Sequence, residues 1–268
     1  MSLPSHPICP AVVTAAGRGT RFRPFTDWVP KEMLPIGSRP ALGHVIDECL
    51  AAGADLVHVA TRPGEQIIPA YVSGLREQGF PVRAVPEDLS YGYGNAAPLL
   101  TLAEELAAAE TFMVAFGDDV LLGGRPGADL AAMRRLAEQG ADSVIAAQLI
   151  DRADVGSFGV VDLADPGGDR VSGIRQRPDP ATVAEPLAVV SRLVLRPGIL
   201  PRLVARPEAR GEVDLGLAVG EQSHTGDVRV RRLAADWVTV GEPRRYADAL
   251  ALHWRDHAPA EHPLTVST

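Results

Sequence analysis

Lysine is all but absent from this chain of 268 residues: of 26 basic side chains only Lys31 is a lysine, and the rest are arginine. Cysteine is nearly as scarce. Cys9 and Cys49 are the only two, each inside an apolar run, which excludes a disulfide framework or a zinc cluster and suits buried thiols in a reducing compartment. Positive charge is in deficit, with a formal net charge of −8. That balance argues against a protein that grips nucleic acid by bulk electrostatics, although a local basic pocket for phosphate is compatible with it. No stretch of 18 apolar residues runs without a charge, so no membrane-spanning helix and no membrane partner are expected. The opening MSLPSHPICPAVV has neither a basic n-region nor a long apolar run, so no secretory signal is expected and the location inferred is cytoplasmic.

What is present is an ordinary globular composition, 46% hydrophobic and 22% charged, long enough to bury one sizeable core. Short apolar runs alternate with amphipathic periods. ICPAVVTAA reads as a buried strand ending in a glycine loop. ALGHVIDECLAAG places Leu42, Val45, Ile46, Cys49 and Leu50 on one helical face, with Gly53 as a stop. ADLVHVAT and FPVRAV read as strands, and NAAPLLTLAEELAAAE as one helix capped by Asn95. TFMVAFGDD is a strand ending in two carboxylates, followed by a helix over GADLAAMRRLAEQG and a strand over ADSVIAAQLI. In the second half, FGVVDL and DRVSGIRQRP predict a hairpin, PLAVVSRLVL a strand, and DVRVRRL and DWVTV two more. VDLGLAVGEQS and PRRYADALALHWRDH predict helices.

This alternation implies an α/β fold, a mainly parallel mixed sheet flanked by helices. One domain over 1–268 is expected, with an N-terminal part at about 8–150 and a second part at about 151–268. Ligands on such sheets sit outside the carboxyl ends of the strands. The two segments richest in chemistry, Gly17 to Lys31 and Gly117 to Asp119, both follow strand ends and are therefore expected to share one crevice.

Glycines after a strand let backbone N–H groups approach phosphate oxygens, and neighbouring cations neutralise them. Neither GxxxxGK[ST] nor GxGxxG occurs. The stretch AGRGTRFRPFTDWVPKEMLPIGSRP, however, closely resembles the signature of sugar-phosphate nucleotidyltransferases, GxGTR followed about ten residues later by PKxxLP. Its PKEMLP form is most similar to the bacterial UTP–glucose-1-phosphate uridylyltransferases. The resemblance implies a Rossmann-like nucleotide-diphospho-sugar transferase fold. It also implies a reaction that joins an NTP, with UTP favoured, to a sugar-1-phosphate and releases pyrophosphate.

By that resemblance Ala16, Gly17, Gly19 and Thr20 would wrap the triphosphate, and Arg21 and Lys31 would hold the phosphates around the reacting phosphorus. Asp118 in FGDDV would ligate Mg2+, with Asp119 as its neighbour; carboxylate oxygens suit this hard ion, which binds substrate phosphates as well. SYGYGNAAP resembles the segment that meets the nucleobase, bringing in Gly92 and Gly94. Five residues before Gly92, where the uridylyltransferases carry a uracil-reading glutamine, this chain has Glu87. An ionised carboxylate only accepts hydrogen bonds, so Glu87 suits a base edge that presents donors, such as guanine.

On the acceptor side the resemblance implicates Gly159 in GSFGVV, Glu212 in RGEVDLGLAV, and Arg177 where the family has a phosphate-binding lysine. Pro186 replaces a sugar-binding asparagine. In DWVTVGEP, Thr239 stands at the family's second metal-binding aspartate, and Asp236, three residues earlier, is expected on the opposite face of the strand. Two readings stay open at this level. One is an enzyme with an NTP and a sugar-1-phosphate as partners, its oligomeric state undetermined. The other is a nucleotide-binding or regulatory homologue that has lost turnover.

Overall fold

The computed structural model describes residues 8–206 and 211–256. Residues 1–7 of the stretch read for a signal, Arg210 before Glu212, and His257 at the end of the expected last helix lie outside the described residues. Nine strands form the main sheet: β1 (Ala11–Ala15), β2 (Val57–Thr61), β3 (Val82–Pro86), β4 (Phe112–Phe116), β5 (Ser143–Leu149), β6 (Gly159–Leu163), β7 (Val171–Gln176), β8 (Leu187–Leu195) and β9 (Val228–Arg232). Parallel pairing joins β3, β2, β1 and β4 in that order, and β5 with β9. Strand β8 runs antiparallel to β4, β5 and β6, and the expected β6–β7 hairpin is present.

Strand β1 reads AVVTA because both of its faces are covered. Ala11, Val13 and Ala15 pack into one apolar cluster and Val12 into another on the opposite face. Helices α1 (Ala41–Ala51), α2 (Ile67–Glu77) and α5 (Ala128–Glu138) contribute to the first cluster. The second takes in α3 (Ala97–Thr101), α4 (Ala103–Ala107) and α6 (Leu215–Gln222). Helix α7 (Pro243–Asp256) follows a short ladder in which Asp236–Thr239 pairs with Asp119–Leu122. The apolar face expected of α1 is buried at Leu42, Val45, Ile46 and Cys49, and Gly53 follows its end with φ +89°.

One expectation is corrected. NAAPLLTLAEELAAAE is not one helix capped by Asn95 but two five-residue helices broken at Leu102, with Ala96 at the first cap. The Asn95 side chain is spent elsewhere. Its Oδ1 accepts from the backbone N–H of Leu215 at 2.7 Å, and its amide donates to Asp214 at 3.3 Å, so it helps cap α6 across the fold.

Candidate functional site

Strands β1 and β4 lie side by side, so the loops leaving their carboxyl ends meet. Lys31 begins a single 3-10 turn (Lys31–Met33) between Pro30 and Pro35, a rigid frame that aims its chain back at β4. The Lys31 ammonium donates to Asp118 Oδ2 and lies 3.8 Å from Glu32 Oε1. Gly17 closes over this pair: a methyl group on its Cα would sit 3.0 Å from both Cε and Nζ of Lys31. The bare Gly17 Cα thus lets the Lys31 stem pass close beneath the loop, where a compact ammonium and a planar guanidinium fork would sit differently.

The charges here are tightly constrained. Desolvation pulls the Lys31 ammonium down, but Asp118 and Glu32 outweigh it and its pKa is raised overall. Glu32 is 1% exposed, its Oε2 has no hydrogen-bond partner, and burial lifts its pKa to about 8 against the opposing charge of Lys31. Asp119 is also buried. Desolvation and the neighbouring Asp118 raise its pKa, and Ser191 Oγ donates to its Oδ2 at 2.5 Å.

The register of β8 against β5 shifts between Val190 and Leu193, and this irregularity turns both Ser191 and Arg192 to the site. Arg192 donates to the Asp119 carbonyl at 2.7 Å and to Glu48 Oε2 at 2.8 Å, fully buried. Removing one partner from such a buried pair costs about 3–5 kcal/mol.

Two cavities meet at Asp118 and Arg21. The first, about 300 Å3, runs from Ala16, Gly17 and Lys31 past Glu32 to Glu87, Tyr93, Gly94 and Glu212. The second, about 590 Å3, is walled by Phe116, Phe158, Trp237, Thr239, Glu242, Arg177 and Arg245. Arg21 stands on the rim of both and pairs with Glu242 at 3.6 Å. Thr239 faces the larger cavity: its hydroxyl lies 3.3 Å from the Asp118 carbonyl and accepts from Gly241 N–H at 3.0 Å. Asp236 pairs with Leu122 at the far end of that ladder and is exposed.

The other expected residues divide. Gly19, with φ +60°, packs against the Thr26 methyl, Thr20 is exposed, and neither lines the two cavities. Gly92 is likewise exposed and off the cavity wall, whereas Gly94 is on it. Gly94 has φ +143°, and a Cβ there would strike the Val213 carbonyl at 2.3 Å, so only glycine fits. The three residues expected on the acceptor side are not together: Arg177 lines the large cavity, Glu212 the smaller one, and Gly159 a third of about 210 Å3. Arg177 is held in the left-handed region at φ 48°, a strained conformation of the kind that gathers at functional sites.

Sequence reasoning passed over Glu32, the Glu48–Arg192 pair, and the wall of Phe158, Trp237 and Arg245. Arg245 lies 4.6 Å over the Phe158 ring. The signal for the buried pair was present as one charge in the apolar strand LAVVSRLVL and one on the apolar face of α1.

A model of the nucleotidyl transferase family matches residues 10–254. The chain belongs to this family. Among curated relatives, UTP–glucose-1-phosphate uridylyltransferase 2 of Staphylococcus saprophyticus is 28% identical, with 87% of each chain covered. UTP–glucose-1-phosphate uridylyltransferase of Staphylococcus epidermidis is 27% identical over the same shares. A UDP-glucose pyrophosphorylase from Acinetobacter baumannii superposes with TM-score 0.79 at 24% identity, covering 94% of this chain and 95% of that one. A UDP-glucose pyrophosphorylase complexed with UDP-glucose gives 0.77 at 22%, covering 93% and 99%. These solved structures share the fold, an α/β sheet of Rossmann-like type.

The donor set at the junction consists of oxygens only. Among the described residues no three ligating side chains cluster, and Asp118 is the carboxylate that lines both cavities. A magnesium ion is commonly held by one or two carboxylates together with substrate phosphates, so these residues fit an ion that arrives with its nucleotide.

Proposed function

We propose that the protein transfers a nucleotidyl group from an NTP to a sugar-1-phosphate and releases pyrophosphate. The observation that carries this reading is the convergence of Lys31, Asp118 and Arg21 where the two cavities meet. An NTP in the smaller cavity and a sugar phosphate in the larger would bring an acceptor oxygen and the α-phosphorus to that junction. The acceptor phosphate oxygen attacks the α-phosphorus, a new P–O bond forms, and the bond to the β-phosphate oxygen breaks as pyrophosphate leaves. No protein nucleophile is needed.

Lys31 holds an α-phosphate oxygen as negative charge grows there, and Arg21 does so from the rim. Asp118 would hold magnesium, with Thr239 beside it, and the ion when bound supplies charge neutralisation on the phosphates. The relatives' names make UTP and glucose-1-phosphate the reference substrates. A second reading, a nucleotide-binding homologue without turnover, draws on Thr239 in place of a second carboxylate and on Asp118 already engaged by Lys31. Pyrophosphate release from NTP and hexose-1-phosphate pairs with Mg2+ decides between them. Turnover abolished by Asp118→Asn supports the enzyme, and nucleotide binding without release from any pair supports the second reading.

A further inference from the structure

We propose that the larger cavity takes a phosphorylated sugar carrying a second anionic group at the end of its ring away from the 1-phosphate, and that Arg245 reads that group; this rests on the reading of the cavity as the acceptor site. Arg245 lies in the first turn of α7, where a cation runs against the helix dipole. Helix stability therefore does not account for it. Two contacts set its position. Its Nε donates to Glu242 Oε1 at 2.6 Å, and its guanidinium stacks 4.6 Å over the Phe158 ring. Phe158 is braced in turn by an edge contact with Trp237, the ring centroids 5.2 Å apart. A guanidinium stacked on a ring keeps its in-plane N–H groups open to other partners. The two terminal nitrogens of Arg245 have no hydrogen-bond or ion-pair partner among the described residues.

The rest of the wall carries the same sign. Arg177 follows the end of β7, its backbone N–H tied to the Phe158 carbonyl at 2.9 Å, and its side chain has no such partner among the described residues either. Arg21 lies 3.6 Å from Glu242 on the other oxygen, so one carboxylate stands between two guanidiniums and cannot neutralise both. The remaining carboxylates on the wall are engaged, Asp118 by Lys31 and Asp119 by Ser191. Among the described residues no amide side chain lines this cavity, and its two hydroxyls are those of Ser157 and Thr239, the latter already accepting from Gly241 N–H. Neutral sugar hydroxyls both donate and accept, and a wall that reads them needs acceptors; this wall offers mainly guanidinium donors.

The 1-phosphate accounts for part of this charge. Arg21, on the rim of both cavities, and Arg177 suffice to hold it. Arg245 is one cation more, and it lines the larger cavity alone. A guanidinium with both terminal nitrogens open takes a carboxylate or a phosphate through two parallel hydrogen bonds. The hydroxymethyl group of a neutral hexose offers it one uncharged acceptor. A hexuronic acid 1-phosphate or a hexose 1,6-bisphosphate has the chemistry that this wall lacks a partner for.

The test compares acceptors that differ only in that group: glucose-1-phosphate, glucuronic acid 1-phosphate and glucose 1,6-bisphosphate, with the wild type, Arg245→Gln and Arg177→Gln. Affinity is measured by calorimetry on the full chain with Mg2+ and an α,β-methylene analogue of each NTP, which blocks transfer. Turnover is followed as pyrophosphate release with each of the four NTPs. At least one acceptor with the second anion is expected to bind about 10-fold or more tightly than glucose-1-phosphate, the lower end of what a hydrogen bond to a charged group contributes. Arg245→Gln should remove most of that ratio, whereas Arg177→Gln should weaken all three acceptors alike. Tighter glucuronic acid 1-phosphate identifies the group as a carboxylate, and tighter bisphosphate as a phosphate. Glucose-1-phosphate binding as tightly as both overturns the proposal, as does a ratio that Arg245→Gln leaves unmoved or Arg177→Gln moves equally. So does an Arg245→Gln variant that loses more affinity for the nucleotide analogue than for the acceptors, because Arg245 then serves the nucleotide phosphates. The expected ratio without pyrophosphate release upholds the acceptor assignment and sinks the catalytic reading. Release with glucose-1-phosphate alone does the reverse, and if no acceptor binds, both fall.

Discussion

Replacing Glu32 with glutamine should alter how stability depends on pH more than it alters stability at any single pH. The Glu32 carboxyl is buried beside Lys31 with one oxygen unpartnered, and its pKa is lifted from 4.5 to about 8. Between those values the folded protein keeps a proton that the unfolded chain releases. The native state then binds more protons than the unfolded state, so stability falls as pH rises from about 4.5 to about 8 and is level above that. At about 1.4 kcal/mol per pKa unit, the loss between pH 5 and pH 8 is about 3 kcal/mol.

Glutamine does not titrate. It also leaves a polar atom where Oε2 now lacks a partner, but that cost is the same at every pH. Urea unfolding of the wild type and Glu32→Gln at pH 5, 6, 7 and 8 isolates the titrating part, and the variant should gain on the wild type steadily across the series. Curves that stay parallel to within about 0.5 kcal/mol, near the precision of linear extrapolation, would refute the burial of a neutral Glu32 beneath the lysine.

Lys31→Arg preserves charge but not shape, and against Gly17 it should lower kcat about 100-fold while changing nucleotide Kd less than about 10-fold; unchanged turnover in steady-state assays would remove Lys31 from the chemistry. Thr239→Asp should lower the magnesium concentration needed for half-maximal pyrophosphate release, and an unchanged requirement in an active enzyme would show that Thr239 is not at the metal. His58 is buried, accepts from Arg83 Nε through Nδ1 at 2.9 Å, and has its pKa lowered to about 4 first by desolvation and then by Arg83. It is neutral in the fold where the unfolded imidazole is protonated, so its contribution is present above about pH 6.5 and lost as pH falls toward 4. Urea melts over that range should show the acid loss in the wild type and a weaker one in His58→Gln.

The strand and helix order was legible because each element carries its own periodicity, and the loop chemistry because glycines and prolines mark it. The crevice followed from topology, since two parallel neighbours end on the same side. What stayed hidden depends on contacts between distant segments. Asn95 reads locally as a helix cap, yet its partners, Leu215 and Asp214, are more than a hundred residues away. Glu32 reads as an ordinary charge after a lysine, because nothing in PKEMLP says that Gly17 and Gly117 will close over it. A Cβ on Gly117 would lie 3.3 Å from Glu32 Cγ. Gly19 and Gly92 fit the motif but serve turns off the cavity walls, Gly19 packing against Thr26 in the spacer of the same motif.

The charge balance of the crevice ties these pieces to function. Three carboxyls, Glu32, Asp118 and Asp119, crowd around one buried ammonium, a net excess of negative charge if all three ionise. Burial raises the pKa of Glu32 to about 8 and pushes that of Asp119 upward as well, which reduces the negative charge set against the Lys31 ammonium. A triphosphate adds negative charge, and further cations stand on the rim: Arg21 and Arg177 are exposed, and Arg245 lies over Phe158, with Glu242 paired to both Arg21 and Arg245. The division suits a transfer reaction. On the proposed reading, the buried pair would fix the place where charge develops, while the rim arginines would meet phosphates that must both arrive and leave.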